Sequence, residues 1–146
     1  MMDNSTTGQP FSTRIMVRFG DCDPAGIVFY PRYFEMFNGL VEDWCAQGLG
    51  LSFHEMHIVR GIGFPAVHIE TDFIAVSTLG DTLQAELVVK KIGGTSLTLA
   101  IRLLGSDGAE RVRAEQVLVL MDLRKRRALP IPEELRARIA GFCVPR

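Results

Sequence analysis

The second half of the chain alternates between apolar and polar residues, the pattern of strands that have one buried face. Four segments show this period: Ala66–Phe73, Thr82–Ile92, Ser96–Leu104 and Arg111–Asp122. Gly93 and Gly94 predict a hairpin turn between the second and third segments, and residues 106–108 (Ser-Asp-Gly) predict the next turn. Consecutive antiparallel strands joined by tight turns predict a meander. A shorter alternation over Thr13–Arg18 predicts a first strand near the start of the chain.

A helical period follows that first strand. Pro31 suits the first turn of a helix, and the apolar residues after it recur at helical spacing: Phe34, Phe37, Leu40, Val41, Trp44 and Cys45. Gly48 and Gly50 are expected to end the helix, and its apolar stripe is interpreted as core packing. Shorter helices are predicted over Ser52–Val59 and Glu133–Phe142. One long helix beside a meander predicts an α+β fold, with the helix packed on a curved antiparallel β-sheet.

The composition is that of an ordinary globular domain. Of 146 residues, 47% are hydrophobic and 23% are charged. We expect a single domain over residues 13–146, preceded by a flexible N-terminal tail over residues 1–12, which are mostly polar and small. The formal net charge of -1 argues against a nucleic-acid partner, and no apolar run reaches the roughly 20 residues that a membrane helix needs. Because no signal-peptide pattern is present, a cytoplasmic location is expected.

The candidate chemistry lies in the turn directly before the long helix. Asp21 and Asp23 place two carboxylates there, and Pro24 biases Asp23 away from helical dihedral angles. A helix that begins near Pro31 directs unpaired N–H donors and partial positive charge toward the same region. A carboxylate beside such donors is what acyl transfer needs, because one supplies a nucleophile or base and the other stabilises an oxyanion. Asp21 is better interpreted as a residue that caps the turn.

Other reactive residues give weaker signals. Cys22 lies between two carboxylates, which disfavour a thiolate, and the three scattered cysteines fit neither a disulfide framework nor a zinc site. The turn imitates a calcium loop, but Ala25 and Arg32 occupy positions where that loop needs oxygen ligands. His54, His57 and His68 lack further candidate metal ligands nearby in the sequence. We therefore expect no metal and no organic cofactor.

The turn resembles the 4-hydroxybenzoyl-CoA thioesterase family of hotdog-fold enzymes in the run Gly-Asp-Cys-Asp-Pro-Ala-Gly-Ile-Val, followed by an aromatic pair, Pro and Tyr. The resemblance extends from Arg14 to Pro132 and implies a sheet wrapped around the long helix. It implies that Asp23 is the catalytic carboxylate, as nucleophile or general base, and that the backbone N–H of Tyr30 polarises the thioester carbonyl. It also implies a homodimer or a homotetramer made of two dimers, with each active site at a dimer interface.

The resemblance further implies where an acyl-CoA substrate binds. Tyr30 stands where relatives acting on short or fatty acyl-CoAs commonly carry a His, which favours an aromatic acyl group such as hydroxybenzoyl. By their apolar rings, Phe29, Tyr30 and Phe34 are candidates for lining an acyl pocket and are equally compatible with core packing; of these, Phe29 and Phe34 are taken as the candidate pocket residues. Five basic residues are candidates for the CoA phosphates: Lys90, Lys91, Arg124, Arg126 and Arg127. At the hairpin after Lys91, glycines occupy positions where the family can carry basic residues, and the basic cluster is equally compatible with a solvated turn.

The sequence thus predicts an acyl-CoA thioesterase that releases a carboxylate and free CoA, with an aromatic substrate favoured. A short-chain or fatty acyl-CoA thioesterase is the enzymatic alternative. A hotdog module that binds acyl-CoA without hydrolysing it is the alternative from another class, although a pure binder has no need of a carboxylate at the carbonyl. A hydratase would require an Asp/His pair, which the sequence does not contain in a hydratase motif.

Overall fold

The structure is a computed structural model that describes residues 8–144, and it contains more strands than helices. The strands are β1 Phe11–Met16, β2 Ile62–Gly63, β3 Ala66–Phe73, β4 Thr82–Ile92, β5 Ser96–Leu104, β6 Glu110–Val119, β7 Met121–Asp122 and β8 Arg127–Ala128. The helices are α1 Tyr30–Asp43 and α2 Glu133–Ala140. A short 3-10 turn spans Phe19–Asp21, and π-helical turns span Trp44–Gly48 and His54–Val59. None of these helices is long and apolar enough to cross a membrane.

The main sheet has five antiparallel strands in the order β1-β4-β5-β6-β3. The predicted bounds of β3, β4 and β5 are confirmed, and β4, β5 and β6 form the predicted meander. The prediction was wrong for β3, which does not pair with β4 but lies at the far edge beside β6. The reason is that residues 74–81 form a long crossing connection instead of a tight turn.

The predicted strand Arg111–Asp122 is divided in two. β6 ends at Val119, and β7 belongs to a separate three-stranded sheet in the order β2-β7-β8. The N–H of Leu120 between them donates to the carbonyl of Thr95 at 2.8 Å, so the chain leaves the main sheet at this residue. The first strand also begins and ends two residues earlier than the predicted Thr13–Arg18, because Phe11 already pairs with Leu87 in the sheet. Residues 1–7 of the expected tail lie outside the described residues.

Helix α1 fills the concave face of the main sheet. Its buried side chains are Tyr33, Met36, Phe37, Leu40 and Val41, and the π-helical turn that continues it adds Trp44 and Cys45. The inner faces of β4 and β5 are fully buried against it: Leu83, Ala85, Leu87, Val89, Leu97, Leu99, Ile101 and Leu103. Each such large apolar side chain contributes about 1.5–3 kcal/mol. This is the predicted α+β hotdog arrangement, in which a sheet wraps around one helix.

The edge strand β3 differs from the rest of the sheet because its inward-facing apolar residues stay open. Val67, Ile69 and Phe73 are 59%, 39% and 49% exposed, although alternation places them on the same face as the buried residues of β6. The carboxylates and the imidazole of β3 lie on the other face. Within residues 8–144, β3 is therefore an uncovered sheet edge with apolar residues on its inner face, which is a surface that proteins normally cover.

Candidate active site

The turn before α1 uses its first carboxylate to build itself. The N–H of Arg18 donates to Oδ2 of Asp21 at 2.9 Å, and the N–H of Asp21 donates back to the carbonyl of Arg18 at 2.9 Å. The carbonyl of Asp21 then accepts the N–H of Phe29 at 2.9 Å. Asp21 is thus engaged through its side chain and its backbone, in agreement with its interpretation as a capping residue.

Asp23 is held by the same turn but keeps one oxygen free. Its N–H donates to the carbonyl of Ile27 at 3.0 Å, and its carbonyl accepts the N–H of Gly26 at 2.9 Å. Gly26 has φ +82, a left-handed conformation that favours glycine. Oδ1 of Asp23 accepts the N–H of Ala25 at 2.8 Å, whereas Oδ2 accepts no hydrogen bond from residues 8–144. The carboxylate is half-buried and oriented by a turn.

The first turn of α1 contains a backbone N–H that can donate a hydrogen bond. Phe29 precedes the helix with φ -72 and ψ 121 and gives it no side-chain cap. Pro31 has no N–H, and the N–H of Arg32 donates to the carbonyl of Phe29 at 2.8 Å. The N–H of Tyr30, the first helical residue, has no acceptor within the part of the chain that the structure describes. It is therefore the donor that this helix offers to a ligand.

The chain doubles back between the carboxylate and this donor. Cys22 and Val28 form an antiparallel bridge, so the Asp23 turn folds against the residues that lead into α1. Desolvation raises the pKa of the Cys22 thiol, and the charges of Asp21 and Asp23 raise it further. The thiol is therefore less acidic than that of an ordinary cysteine.

An aromatic cleft adjoins the start of the helix. Its volume is about 220 Å³, and its walls are Ile27, Val28, Tyr30, Tyr33, Phe73, Ile74, Ala75 and Val76. The ring of Phe73 lies 6.0 Å from Tyr30, 5.8 Å from Tyr33 and 6.4 Å from Phe34, measured between centroids. Phe29 stands against Tyr30 at 5.5 Å. Phe29 and Phe34 thus flank the rings that form the cleft without lining it.

The sequence reasoning missed Tyr33 and Phe73 as cleft residues. Tyr33 is the last residue of the recognised motif and belongs to the buried side of α1, and Phe73 is the last residue of β3. The usable signal was the alternation of β3, which places Phe73 on the face that meets the helix. Residues 74–76 carried no signal, because they have no period and the fold alone brings them to the cleft.

The predicted CoA-binding residues lie in two separate places. Lys90 and Lys91 are near the end of β4 on the main sheet, and the ammonium of Lys90 pairs with Glu115 at 2.6 Å. Three arginines form what we call the basic hairpin on the small sheet: Arg124 and Arg126 lie in the exposed connection between β7 and β8, and Arg127 is the first residue of β8. Asp122 holds this connection by accepting the N–H groups of residues 124 and 125 at 2.9 and 3.0 Å. None of the three guanidinium groups forms an ion pair with residues 8–144.

No group of three or more His, Cys, Asp or Glu residues able to hold a metal ion occurs between residues 8 and 144. The arrangement instead consists of a carboxylate, an unpaired N–H at a helix start and an aromatic cleft. A helix wrapped by an antiparallel sheet, with this turn at its N-terminus, defines a hotdog-fold protein with a site suited to acyl chemistry.

Comparison with known proteins agrees with this class. The family model described as the thioesterase-like superfamily matches residues 17–139. The 1,4-dihydroxy-2-naphthoyl-CoA hydrolase of Synechococcus elongatus is 30% identical over 122 residues, which cover 82% of this chain and 88% of the relative. The 4-hydroxybenzoyl-CoA thioesterase of a Pseudomonas species is 26% identical over 125 residues, 81% of this chain and 89% of that one. The chain belongs to the thioesterase-like superfamily and is a thioester hydrolase.

The fold is also shared with solved structures. A Staphylococcus aureus protein whose structure was determined in complex with CoA superposes with a TM-score of 0.86, covering 95% of this chain and 88% of that one at 20% identity. At this identity the likeness concerns the fold, and it confirms the hotdog architecture inferred from the helix and the sheet.

Proposed function

We propose that this protein hydrolyses aromatic acyl-CoA thioesters to the free carboxylate and CoA. One observation carries the proposal. The carboxylate of Asp23, with one oxygen that accepts no hydrogen bond within residues 8–144, and the unpaired N–H of Tyr30 both lie before or at the start of α1, beside a cleft made of aromatic rings. Two relatives that match over four fifths of the chain are named for hydroxylated aryl-CoA substrates, which supports the same substrate class here.

In the proposed reaction, the thioester carbonyl oxygen faces the N–H of Tyr30 while Asp23 acts on the carbonyl carbon. The oxygen gains negative charge as the tetrahedral species forms, and the helix N-terminus stabilises it. Loss of one such donor typically costs about 2.7–4 kcal/mol of transition-state stabilisation. The peptide N–H is a suitable donor because the helix fixes its direction before the substrate arrives.

Asp23 can serve in either of two ways. As a nucleophile, its carboxylate oxygen adds to the carbonyl carbon, CoA leaves as the thiolate and a mixed anhydride remains; water then splits the anhydride, restores Asp23 and supplies the proton that the thiolate takes. As a general base, Asp23 takes a proton from the water that adds to the carbonyl; the tetrahedral species then expels CoA as the thiolate, which takes that proton and leaves Asp23 ionised. A chemically quenched single turnover separates them, since acylated enzyme accumulates only in the first.

The aromatic cleft supports an aryl acyl group. Tyr30, Tyr33 and Phe73 present ring edges and faces at distances typical of aromatic packing, and residues 74–76 add aliphatic contacts. However, about 220 Å³ is less than the roughly 300 Å³ at which ligand pockets usually begin. One copy of the chain therefore provides part of an acyl pocket.

We propose that a second copy of the chain completes the site. The open edge of β3 is the natural place for it, because the inner-face residues Val67, Ile69 and Phe73 are uncovered there and Phe73 also lines the cleft. Pairing two such edges in an antiparallel homodimer would cover the apolar residues and close the cleft in one step.

The CoA phosphates are proposed to meet the basic hairpin. Its guanidinium groups are exposed and unpaired among the described residues, and guanidinium suits bidentate phosphate binding. Lys90 is a weaker candidate because Glu115 already neutralises its ammonium. The solved CoA complex of a protein with the same fold makes CoA a reasonable ligand for this chain.

The test is the release of CoA from a panel of aryl-, short-chain and long-chain acyl-CoAs, followed by chromatography because the protein has free cysteines of its own. We expect the highest kcat/KM for hydroxylated aryl-CoAs. A preference for short or fatty acyl groups would refute the aryl assignment. Binding of CoA esters without hydrolysis would refute the catalytic proposal and favour an acyl-binding module.

A further inference from the structure

The segment that links β3 to β4, residues 74–81 (the 74–81 loop), serves two parts of the candidate site. Ile74, Ala75 and Val76 form one wall of the aromatic cleft. The carbonyl of Ser77 accepts the N–H of Val28 at 2.9 Å, next to an antiparallel bridge between the following residue of the loop and Ile27. Whatever fixes this loop therefore fixes both the cleft and the backbone that leads from Asp23 to Tyr30.

One residue of the main sheet holds this loop at several points. Nη1 of Arg111 donates to the carbonyl of Val76 at 3.0 Å, to Oγ of Ser77 at 3.1 Å and to Oδ2 of Asp81 at 3.1 Å. The carbonyl of Arg111 accepts the N–H groups of residues 74 and 75 at 2.8 and 3.0 Å. The Arg111 side chain is only 19% exposed, and a guanidinium with three acceptors in one loop fixes that loop more strongly than any single contact would.

The partners of Arg111 are themselves ordered. The side chain of Ser77 is fully buried, and Oδ2 of Asp81 also accepts the N–H of Thr78 at 2.9 Å. The Thr78 amide and the Arg111 guanidinium hold the pKa of Asp81 below its usual value. The charged pair is thus maintained at neutral pH, and it holds the loop against the start of β6.

The sheet also leaves room for the guanidinium. Gly105, in the turn before β6, lies so close that an added Cβ would stand 2.5 Å from Nη2 and 2.7 Å from Nε of Arg111. Gly105 is absent from the residues with positive φ, so its backbone accepts alanine. Glycine is therefore needed at position 105 because a larger residue would occupy the space of the Arg111 guanidinium, and not because of its backbone dihedral angles.

We infer that Arg111 is a positioning residue for the hydrolysis: through the 74–81 loop it sets the place of the acyl cleft and of the Asp23–Tyr30 segment, without touching substrate. This inference rests on the proposed function for its kinetic part. A displacement of about 1 Å at a reacting group can cost 100-fold in rate, so loosening the loop should act on kcat as well as on KM.

Four variants test the inference. Arg111→Met removes all the side-chain hydrogen bonds to the loop. Arg111→Lys keeps the positive charge but can donate hydrogen bonds in fewer directions. Gly105→Ala displaces the guanidinium without changing its charge. Arg113→Met is the matched control, since Arg113 lies on the same strand and pairs with Asp72 and Glu110 at 3.3 Å without touching the loop. Each is assayed for kcat and KM well below its melting temperature.

A second readout does not depend on activity. We expect amide hydrogen exchange at Val28, measured by NMR, to become about tenfold faster or more in Arg111→Met and in Gly105→Ala. The kcat of both should fall by about tenfold or more. Arg111→Lys should recover part of each effect, and Arg113→Met should match the wild type.

The outcomes separate two failures. A lower melting temperature with unchanged kcat and unchanged exchange at Val28 would overturn the positioning role and leave the proposed function intact. A wild-type protein that hydrolyses no thioester would refute the proposed function, and the exchange measurement would still decide whether Arg111 orders the Asp23–Tyr30 segment.

Discussion

Replacing Asp23 by Asn separates the chemistry of the turn from its stability. In the structure, Oδ1 of Asp23 accepts the N–H of Ala25, and Oδ2 accepts nothing within residues 8–144. An amide oxygen can keep the first contact, and a net hydrogen bond of this kind contributes about 0.5–1.5 kcal/mol. We therefore expect the free energy of unfolding of Asp23→Asn to lie within about 1 kcal/mol of the wild type.

The effect on catalysis should be much larger. An amide is neither a nucleophile nor a base at neutral pH, and a positioned general base alone is worth about 10²–10⁴ in rate. We expect kcat to fall at least 10³-fold, which corresponds to about 4.1 kcal/mol of activation free energy. KM should change little, because the cleft and the N–H of Tyr30 remain in place.

Asp21→Asn is the matched control, since it makes the same chemical change within the same turn. Its oxygen can still accept the N–H of Arg18, so kcat should remain within about threefold of the wild type. The assay is steady-state CoA release by chromatography, with thermal unfolding of each variant. If Asp23→Asn turns over within tenfold of the wild type, or if Asp21→Asn loses as much activity, the carboxylate assignment is wrong.

Four smaller predictions follow from other contacts. Gly39 lies within α1 with nothing within 4 Å of an added Cβ, so Gly39→Ala should raise the free energy of unfolding by about 0.5–1 kcal/mol; a loss would reveal an unseen neighbour. Burial raises the pKa of Cys45 to about 12, so iodoacetamide should label it only in unfolded protein. Because the pKa of Asp81 is lowered from 3.8, its stabilisation is present above that pH and lost as pH falls through the lowered value; wild type and Asp81→Asn should converge in acid unfolding. Replacing the three arginines of the basic hairpin by Gln should raise KM for CoA thioesters severalfold at constant kcat, and an unchanged KM would assign the cluster to solvent.

The sequence predicted well those elements that depend on a regular spacing of apolar residues along the chain. Strict alternation gave β3, β4 and β5 with their observed bounds, and helical spacing gave α1 within a residue at its start. The motif then placed Asp23 before that helix and Tyr30 at its first position, which is where the structure has them. These features are encoded by neighbouring residues, so a pattern along the chain suffices to detect them.

The pairing of strands that are far apart along the chain is not encoded by neighbouring residues. Alternation tells which face of a strand is buried but not which strand lies beside it, so the place of β3 next to β6 could not be predicted from its own residues. The same limit hid the cleft residue Phe73 and the loop contacts of Arg111. Each acquires its role from a segment thirty or more residues away along the chain, and no local spacing reports such a contact.

β3 also shows a disagreement between pattern and exposure that bears on the assembly. Its alternation is that of a strand with one covered face, yet Val67 and Ile69 are open in a single copy. Burying side chains of this size contributes about 1.5–3 kcal/mol each. A single copy, in which this edge is uncovered, lacks that stabilisation. A second copy at this edge accounts for the pattern, and because Phe73 ends the same strand and lines the cleft, the covering that satisfies β3 would also enclose an acyl group.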